Sequence, residues 1–497
     1  MTSGQLLLRW RSVVVAALLG AVGVTAFSPS PWWGLLPLAF AGFFAHLAAA
    51  ATARSALVRA IAFGWGYFFC GIAWIAVALA RYGGLSWVLA LLAVALLALF
   101  LALYWGVAGW LTWRLWQRAA PPALTPALLW ILCEWLRSWL FSGFPWLTPG
   151  VAAAQEGGWL NGWFPLIGAL GVSGLLIGVA AAFPTGWHRG KFWAALLLIA
   201  AVGWALRPVA WSKPAGEPVP VTVIQTAVTQ DEKWQTGRWQ AHLEALRAAI
   251  AAAQGAVVVT PETVLPLFAD QLPPLWQQAL QAAAGERTLL VGLFARDERG
   301  IYNRLVSWSL PWHYDKRQLV PFGEYTPPFF RSIATRLTIP FADQTPGADR
   351  QPSLVVGGVA WRANICYESA FSQRIMDDVA AGAAVLVNAS NFAWYGASHG
   401  QWQHLQIGRA RALETARPWV QAVNAGVSAV IGPRGETLAQ APAWQSMILE
   451  ATVTPQQGLT PFVRWGGERT IAAAAALLLA VLWARARKTL RESAKIA

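Results

Sequence analysis

Charge is what this sequence has least of: Asp, Glu, Lys and Arg make up 12% of its 497 residues, against 57% hydrophobic. That balance excludes an ordinary soluble globule, and it predicts insertion in a membrane. Acidic residues are the scarcer sign, 23 against 37 Lys and Arg, for a formal net charge of +14. The imbalance is local. Residues 208–466 carry 20 basic and 19 acidic side chains, whereas the rest of the chain carries 17 basic and only 4 acidic ones. A polyanion-binding surface would place its excess on the water-compatible part. Here the excess lies in the apolar part and its tails, so it reports membrane topology, and no nucleic-acid partner is expected.

Cysteine is also scarce. Cys70 and Cys133 lie in apolar runs, where a thiol is small hydrophobic filler, which leaves Cys366 in the polar region without an evident disulfide partner. The six histidines, His46, His188, His242, His313, His399 and His404, form no ligand-spaced set with a nearby Cys. No Gly-rich phosphate loop or dinucleotide fingerprint occurs either, so neither a metal nor a cofactor is expected. His399 and His404, five apart, read as helix surface or pocket polarity.

What the chain does have is long apolar runs. They fall near residues 12–27, 33–52, 60–80, 85–113, 123–142, 163–184 and 192–206, with one more near 470–484. Each approaches the length needed to cross a hydrocarbon core of roughly 30 Å, though the first and seventh are short and the fifth is impure, and eight spans are expected. The organisation expected is a membrane domain over 1–207 with about seven helices, a polar domain over 216–458, a final span at 470–484 and a basic tail at 485–497. The first run also fits a secretory signal, but no convincing cleavage site follows it.

Basic residues then suggest an orientation. Arg9 and Arg11, Arg54 and Arg59, Arg114 and Arg118, Arg189 and Lys191, and the tail residues Arg485, Arg487, Lys488, Arg491 and Lys495 all fall on one side if the first span starts inside. The alternate loops 28–33 and 142–162 have no Lys or Arg, and the loop after the third run has only Arg81. Both termini are therefore expected in the cytoplasm and the polar domain outside, which for a bacterial inner-membrane protein is the periplasm.

The polar domain alternates β-like runs (221–226, 257–260, 289–294, 354–365, 384–388 and 420–431) with helical ones (239–254, 272–284, 369–381 and 401–416). That pattern predicts a layered α/β domain. Three of its residues suit thiol-based acyl transfer. Cys366 ends a β-type run and precedes a polar cluster. Glu262 follows the apolar run 257–260, and Lys316 lies in the string Tyr314-Asp315-Lys316-Arg317. A free thiol with a pKa near about 8.5 is mostly protonated at neutral pH, so a neighbouring base such as Glu262 is needed to take its proton. Attack on a carbonyl creates an oxyanion, which a fixed ammonium such as Lys316 can stabilise, helped by a backbone N–H such as that of Tyr367. Singly, each has a plainer reading: a strand-end cap, a solvated lysine, a core cysteine.

The order Glu262, Lys316, Cys366, within Thr260-Pro261-Glu262-Thr263, the 314–324 string and Asn364-Ile365-Cys366-Tyr367-Glu368, resembles the nitrilase superfamily. The eight-span frame and Leu319-Val320-Pro321-Phe322-Gly323-Glu324 resemble its membrane-embedded branch, the apolipoprotein N-acyltransferase family. The likeness extends to Lys233-Trp234, Tyr302-Asn303, Trp402-Gln403-His404, the helix with Arg409 and Glu414, and 424–428. It implies a multi-span helical membrane domain joined to an αββα sandwich facing the periplasm. The implied reaction moves an acyl chain from a phospholipid, through a thioester on Cys366, to the α-amine of diacylglyceryl-cysteine on an apolipoprotein. Glu262 would be general base and Lys316 oxyanion stabiliser. Glu324, Tyr367 and Glu368 would support the site, with Trp234 and Trp394 contacting substrate or support. The alternative is a membrane-anchored carbon-nitrogen hydrolase using the same triad. Thr260-Pro261-Glu262 and Asn391-Phe392-Ala393-Trp394 depart from the Trp-Pro-Glu and Asn-Asp-x-Trp often found in the family.

Two further features are ambiguous on sequence. The aromatic segments 325–330 and 392–395 suit a lid or lipid-facing loop, or ordinary core packing. Glu134 and Arg137 stand three apart on one helical face, which favours an ion pair inside the bundle over a lipid headgroup contact.

Overall fold

Alternation in a short valine run sets up the layers of the polar region. Val257 and Val259 point into one apolar core and Val258 into another, which is what successive side chains of a strand buried on both faces must do. A computed structural model describes residues 3–118, 123–233, 235, 237–265, 267–326 and 343–496. The described chain divides into two compact units, one made of 1–73, 91–209 and 464–497 and the other of 74–90 and 210–463.

The first unit is helical, with helices Ser3–Val24, Leu35–Ala48, Ala53–Ile72, most of Trp87–Trp116, Leu124–Trp139, Phe164–Gly186, Gly190–Leu206 and Glu468–Ile496. Among the described residues, three helical stretches, Ala53–Ile72, Trp87–Trp116 and Asn161–Gly186, are long and apolar enough to cross a membrane, while Trp10–Val24, Leu35–Ala48 and Gly190–Leu206 are apolar but shorter. Small residues let helices touch by their backbones: a Cβ on Gly20 would lie 2.0 Å from the carbonyl oxygen of Phe63, and one on Gly66 2.0 Å from that of Ala17. Glu134 and Arg137 form a buried ion pair. Its carboxylate also accepts from the Trp105 indole at 2.8 Å, and Arg137 donates to the Trp146 carbonyl at 2.9 Å. The pair is internal glue within the helices, as its spacing favours.

The apolar run at 60–80 is not one helix. Ala53–Ile72 ends, and a separate short helix, Ile75–Arg81, belongs to the second unit. Trp74, at the break, donates its indole N–H to Gln403 at 3.2 Å and meets the Tyr395 ring edge-on. Those contacts give the segment a partner in the polar unit that hydropathy cannot register.

In the second unit, strands β1 (Lys213–Pro214), β2 (Val219–Gln225), β3 (Val257–Val259), β4 (Thr288–Asp297), β5 (Gly300–Ser307) and β6 (His313–Asp315) are followed by β7 (Leu354–Val356), β8 (Val359–Ile365), β9 (Val385–Asn391), β10 (Trp419–Asn424), β11 (Ala429–Ile431), β12 (Thr437–Gln440), β13 (Met447–Val453) and β14 (Gln456–Gln457). Two six-stranded sheets result, ordered β13-β2-β3-β4-β5-β6 and β12-β11-β10-β9-β8-β7. Each has three parallel strands at its centre and antiparallel strands outside them. The inner faces share a core that includes Val221, Leu290, Leu305, Trp361, Ile365, Val387 and Val420. Helices Trp239–Ala252 and Pro274–Ala284 cover the outer face of the first sheet. Ser372–Ala380 and Gly400–Thr415 lie with the second. This is an αββα sandwich. Two runs that read as single strands are hairpins: Gly357 and Gly358, with φ of 58° and 78°, turn β7 into β8, and residues 425–428 turn β10 into β11.

Candidate active site

Strand ends deliver the site. Glu262 follows β3, Lys316 follows β6, and Cys366 follows β8, so three loops at carboxyl ends of strands converge, where open α/β sheets gather ligand-binding groups. Close backbone approach holds the first of them. A Cβ on Gly292 of β4 would lie 2.3 Å from the Pro261 carbonyl oxygen and 2.9 Å from Glu262 Cα, so only glycine lets β4 run against the loop carrying Glu262.

Glu262 is 6% exposed and Lys316 1%. Lys316 Nζ donates to Glu262 Oε1 at 3.3 Å and to Glu324 Oε1 at 2.5 Å. An ammonium has three N–H bonds, so one remains to meet a developing negative charge. Asn303 Nδ2 also donates to Glu262 Oε1, at 2.7 Å. Both donors thus meet one carboxylate oxygen, and among the described residues Oε2 is left able to take a proton. Glu324 Oε2 accepts from the Val320 N–H at 2.8 Å, which folds the 319–324 string back onto the lysine.

Cys366 is half-buried and has φ of 55°, a left-handed conformation rare outside glycine. It begins the 3-10 turn Cys366–Ala370, so the chain swings sharply from strand to turn at the thiol. Strain of this kind persists only where the surroundings overdetermine it, and Glu368 does much of that. Its carboxylate is buried and accepts four hydrogen bonds: Ile365 N–H at 2.6 Å, Tyr314 hydroxyl at 2.8 Å, Arg317 N–H at 2.7 Å and Gln318 N–H at 3.0 Å. The same carboxylate clasps the Cys366 turn and the residues on either side of Lys316.

Electrostatics divides the protons. Burial raises the Cys366 thiol, the Glu262 charge raises it further, and Lys316 and the Asn391 backbone oppose them, so the resting group is a neutral thiol. Burial disfavours the Lys316 charge, but Glu262 and Glu324 outweigh it and hold the lysine well above its ordinary range as an ammonium. Burial raises the Glu324 carboxyl despite its bond to Lys316.

Glu262, Lys316, Glu324 and Cys366 are thus brought together, with Glu368 behind them. The Tyr367 ring packs edge-on against Phe371 at 5.1 Å. Trp394 sits after β9 and meets Tyr82 edge-on at 5.2 Å. Trp234 lies outside the described residues, as do residues 327–330 of one aromatic segment. The sequence does not single out Asn303, Tyr395 and Lys233 as site residues. Tyr395 lies near enough for Cys366 to raise its hydroxyl, after burial. Lys233 is buried, donates to Thr263 Oγ1 at 2.8 Å, and is lowered by burial to about 7. Asn303 and Lys233 both stand inside strings that carry the resemblance, which is the signal the sequence holds for them. Among the described residues no cluster suited to a metal ion occurs.

Comparison with known proteins matches residues 19–182 to the family described as apolipoprotein N-acyltransferase N-terminal domain, and residues 221–458 to carbon-nitrogen hydrolase. An apolipoprotein N-acyltransferase of Ralstonia nicotianae is 35% identical, over 95% of this chain and 93% of its own. One of Nitrosomonas europaea is 36% identical, over 94% of this chain and 96% of its own. Among solved structures, an amidase of the nitrilase superfamily from Nesterenkonia AN1 is 18% identical, with a TM-score of 0.38, over 50% of this chain and 95% of that one.

Proposed function

The chain belongs to the apolipoprotein N-acyltransferase family, and we propose on that footing that it transfers an acyl chain from a phospholipid to the α-amine of diacylglyceryl-cysteine on an apolipoprotein. The observation that carries the reading is the buried Glu262–Lys316–Glu324 cluster facing a neutral thiol on a strained turn. In the first step Glu262 takes the Cys366 proton as the sulfur attacks the ester carbonyl. Lys316 and the Tyr367 N–H meet the oxyanion. Collapse expels the lysophospholipid alkoxide, which takes the proton from Glu262 and leaves a thioester. In the second step the amine attacks that thioester, Glu262 accepts the amine proton, and the departing thiolate recovers it as an amide forms. The donor ester supplies the driving energy.

The partners in this reading are phospholipid, diacylated apolipoprotein and the surrounding membrane lipids. The site is periplasmic and both termini cytoplasmic in a bacterial inner membrane, which the placement of Lys and Arg supports. Roles for Trp234 and Trp394 in binding substrate or supporting the site follow from the family resemblance. A carbon-nitrogen hydrolase with the same triad would pass the acyl group to water. Detergent-solubilised protein given phospholipid and a diacylated lipopeptide is expected to yield triacylated peptide and lysophospholipid. Free fatty acid as the only product would sink the transferase reading.

A further inference from the structure

The carbonyl of Cys366 is held from behind by two side chains that take no part in the proton transfers. Asn388 Nδ2, on β9, donates to it at 3.3 Å, and His404 Nε2, on helix Gly400–Thr415, lies 3.4 Å away. Both belong to a buried polar chain whose directions can be read link by link. Asn364 Nδ2 donates to the Val387 carbonyl at 2.8 Å, and Asn388 Nδ2 donates to Asn364 Oδ1 at 2.6 Å. Asn388 Oδ1 therefore accepts, and Ser390 Oγ spends its proton on it at 2.6 Å. Ser390 Oγ can then only accept from His404 Nε2, 3.4 Å away. The Cys366 carbonyl also can only accept. Both neighbours require a proton on Nε2, which fixes the His404 tautomer. Burial lowers His404 to about 4, so the ring is neutral.

Because the peptide group is planar and trans, its carbonyl and N–H point in opposite directions. Fixing the Cys366 carbonyl therefore fixes the direction of the Tyr367 N–H. We infer that His404 and Asn388 are positioning residues that set the oxyanion-binding N–H of the nucleophile turn by anchoring the Cys366 carbonyl. The inference rests on the acyl-transfer reading above. The positive φ at Cys366 gives the anchor something to do, since an unheld turn would relax toward a commoner backbone conformation.

The test separates chemistry that forms an oxyanion from chemistry that does not. His404→Phe keeps a planar ring beside Phe392, 4.9 Å away, and removes the donor. His404→Gln restores an amide donor. Single-turnover acyl-enzyme formation from phospholipid and thiol alkylation by iodoacetamide are measured on each full-length protein in detergent. Alkylation displaces iodide and builds no oxyanion. Acylation in His404→Phe is expected to fall roughly tenfold to a hundredfold, less than the 10²–10³ typical of deleting a donor outright. Alkylation is expected within about twofold of the parent chain, and His404→Gln is expected to recover most of the acylation. Wild-type acylation in His404→Phe, parallel loss of both reactions, or no rescue by His404→Gln would overturn the inference. If the parent chain alkylates but forms no acyl-enzyme, the acyl-transfer reading fails first and takes the inference with it.

Discussion

Cys366 is a weak nucleophile as it stands, since burial and the charge of Glu262 keep its thiol protonated. Reaction therefore depends on proton removal during attack. Cys366→Ala is expected to abolish a hydroxylamine-sensitive acyl adduct on the protein, and Glu262→Gln to slow its formation by about 10²–10⁴, the usual scale of general-base loss. Adduct at full yield in Cys366→Ala would remove the thioester. The raised thiol also predicts that Cys366 alkylation in the parent chain keeps climbing with pH well beyond about 8.5, the midpoint of a free cysteine's titration. His404 gives a second pH signature. It titrates near 6.5 when unfolded and about 4 when folded, so between those values the unfolded chain binds the extra proton. Its contribution is complete above about 6.5 and is lost as pH falls toward 4. His404→Gln should flatten that part of the melting temperature against pH, and an unchanged slope would contradict the assignment.

Strands and turns fix how closely these groups can meet. Gly292→Ala would push β4 against the Glu262 loop. We expect it to cost about 1–3 kcal/mol, as overpacking usually does, and to depress acylation beyond what the stability loss explains. Glu368→Gln would aim an amide donor at a set of donors, and breaking one such charged hydrogen bond costs about 1.5–3 kcal/mol. Thermal melts and acyl-enzyme yield on both variants check this. Much at this scale is legible in the sequence, because β3 and β4 carry apolar runs and helix Gly400–Thr415 falls on the run 401–416, which reads as helical. β5, β6, β12 and β13 escape notice. They are flanking strands, mixed in polarity, and pair antiparallel with neighbours that pattern alone does not identify. The convergence of Glu262, Lys316 and Cys366 is legible only through the family resemblance, since no local spacing encodes a contact such as that of Lys316 with Glu262, 54 residues apart. Asn388, Ser390 and His404 are hidden for a different reason: a buried polar chain looks like any polar residues until the burial is seen.

For the whole chain, the asymmetry of Lys and Arg makes a claim about sides. With the three native cysteines replaced by alanine, a cysteine at Glu217 should react with a membrane-impermeant maleimide in cells whose outer membrane is permeable. One at Ser493 should react only after the inner membrane is opened. Reversal of that pattern would place the site in the cytoplasm, where no lipoprotein amine awaits it in this account. In the proposed reaction one thiol carries the acyl group from phospholipid to lipoprotein. The most direct measurement is intact-mass analysis of the purified protein, first with phospholipid alone and then after a diacylated lipopeptide is added. One acyl mass on Cys366 is expected in the first stage, and its transfer to the lipopeptide as an amide in the second. Triacylated peptide formed at the parent rate by Cys366→Ala, with no acyl mass on either protein, would contradict it.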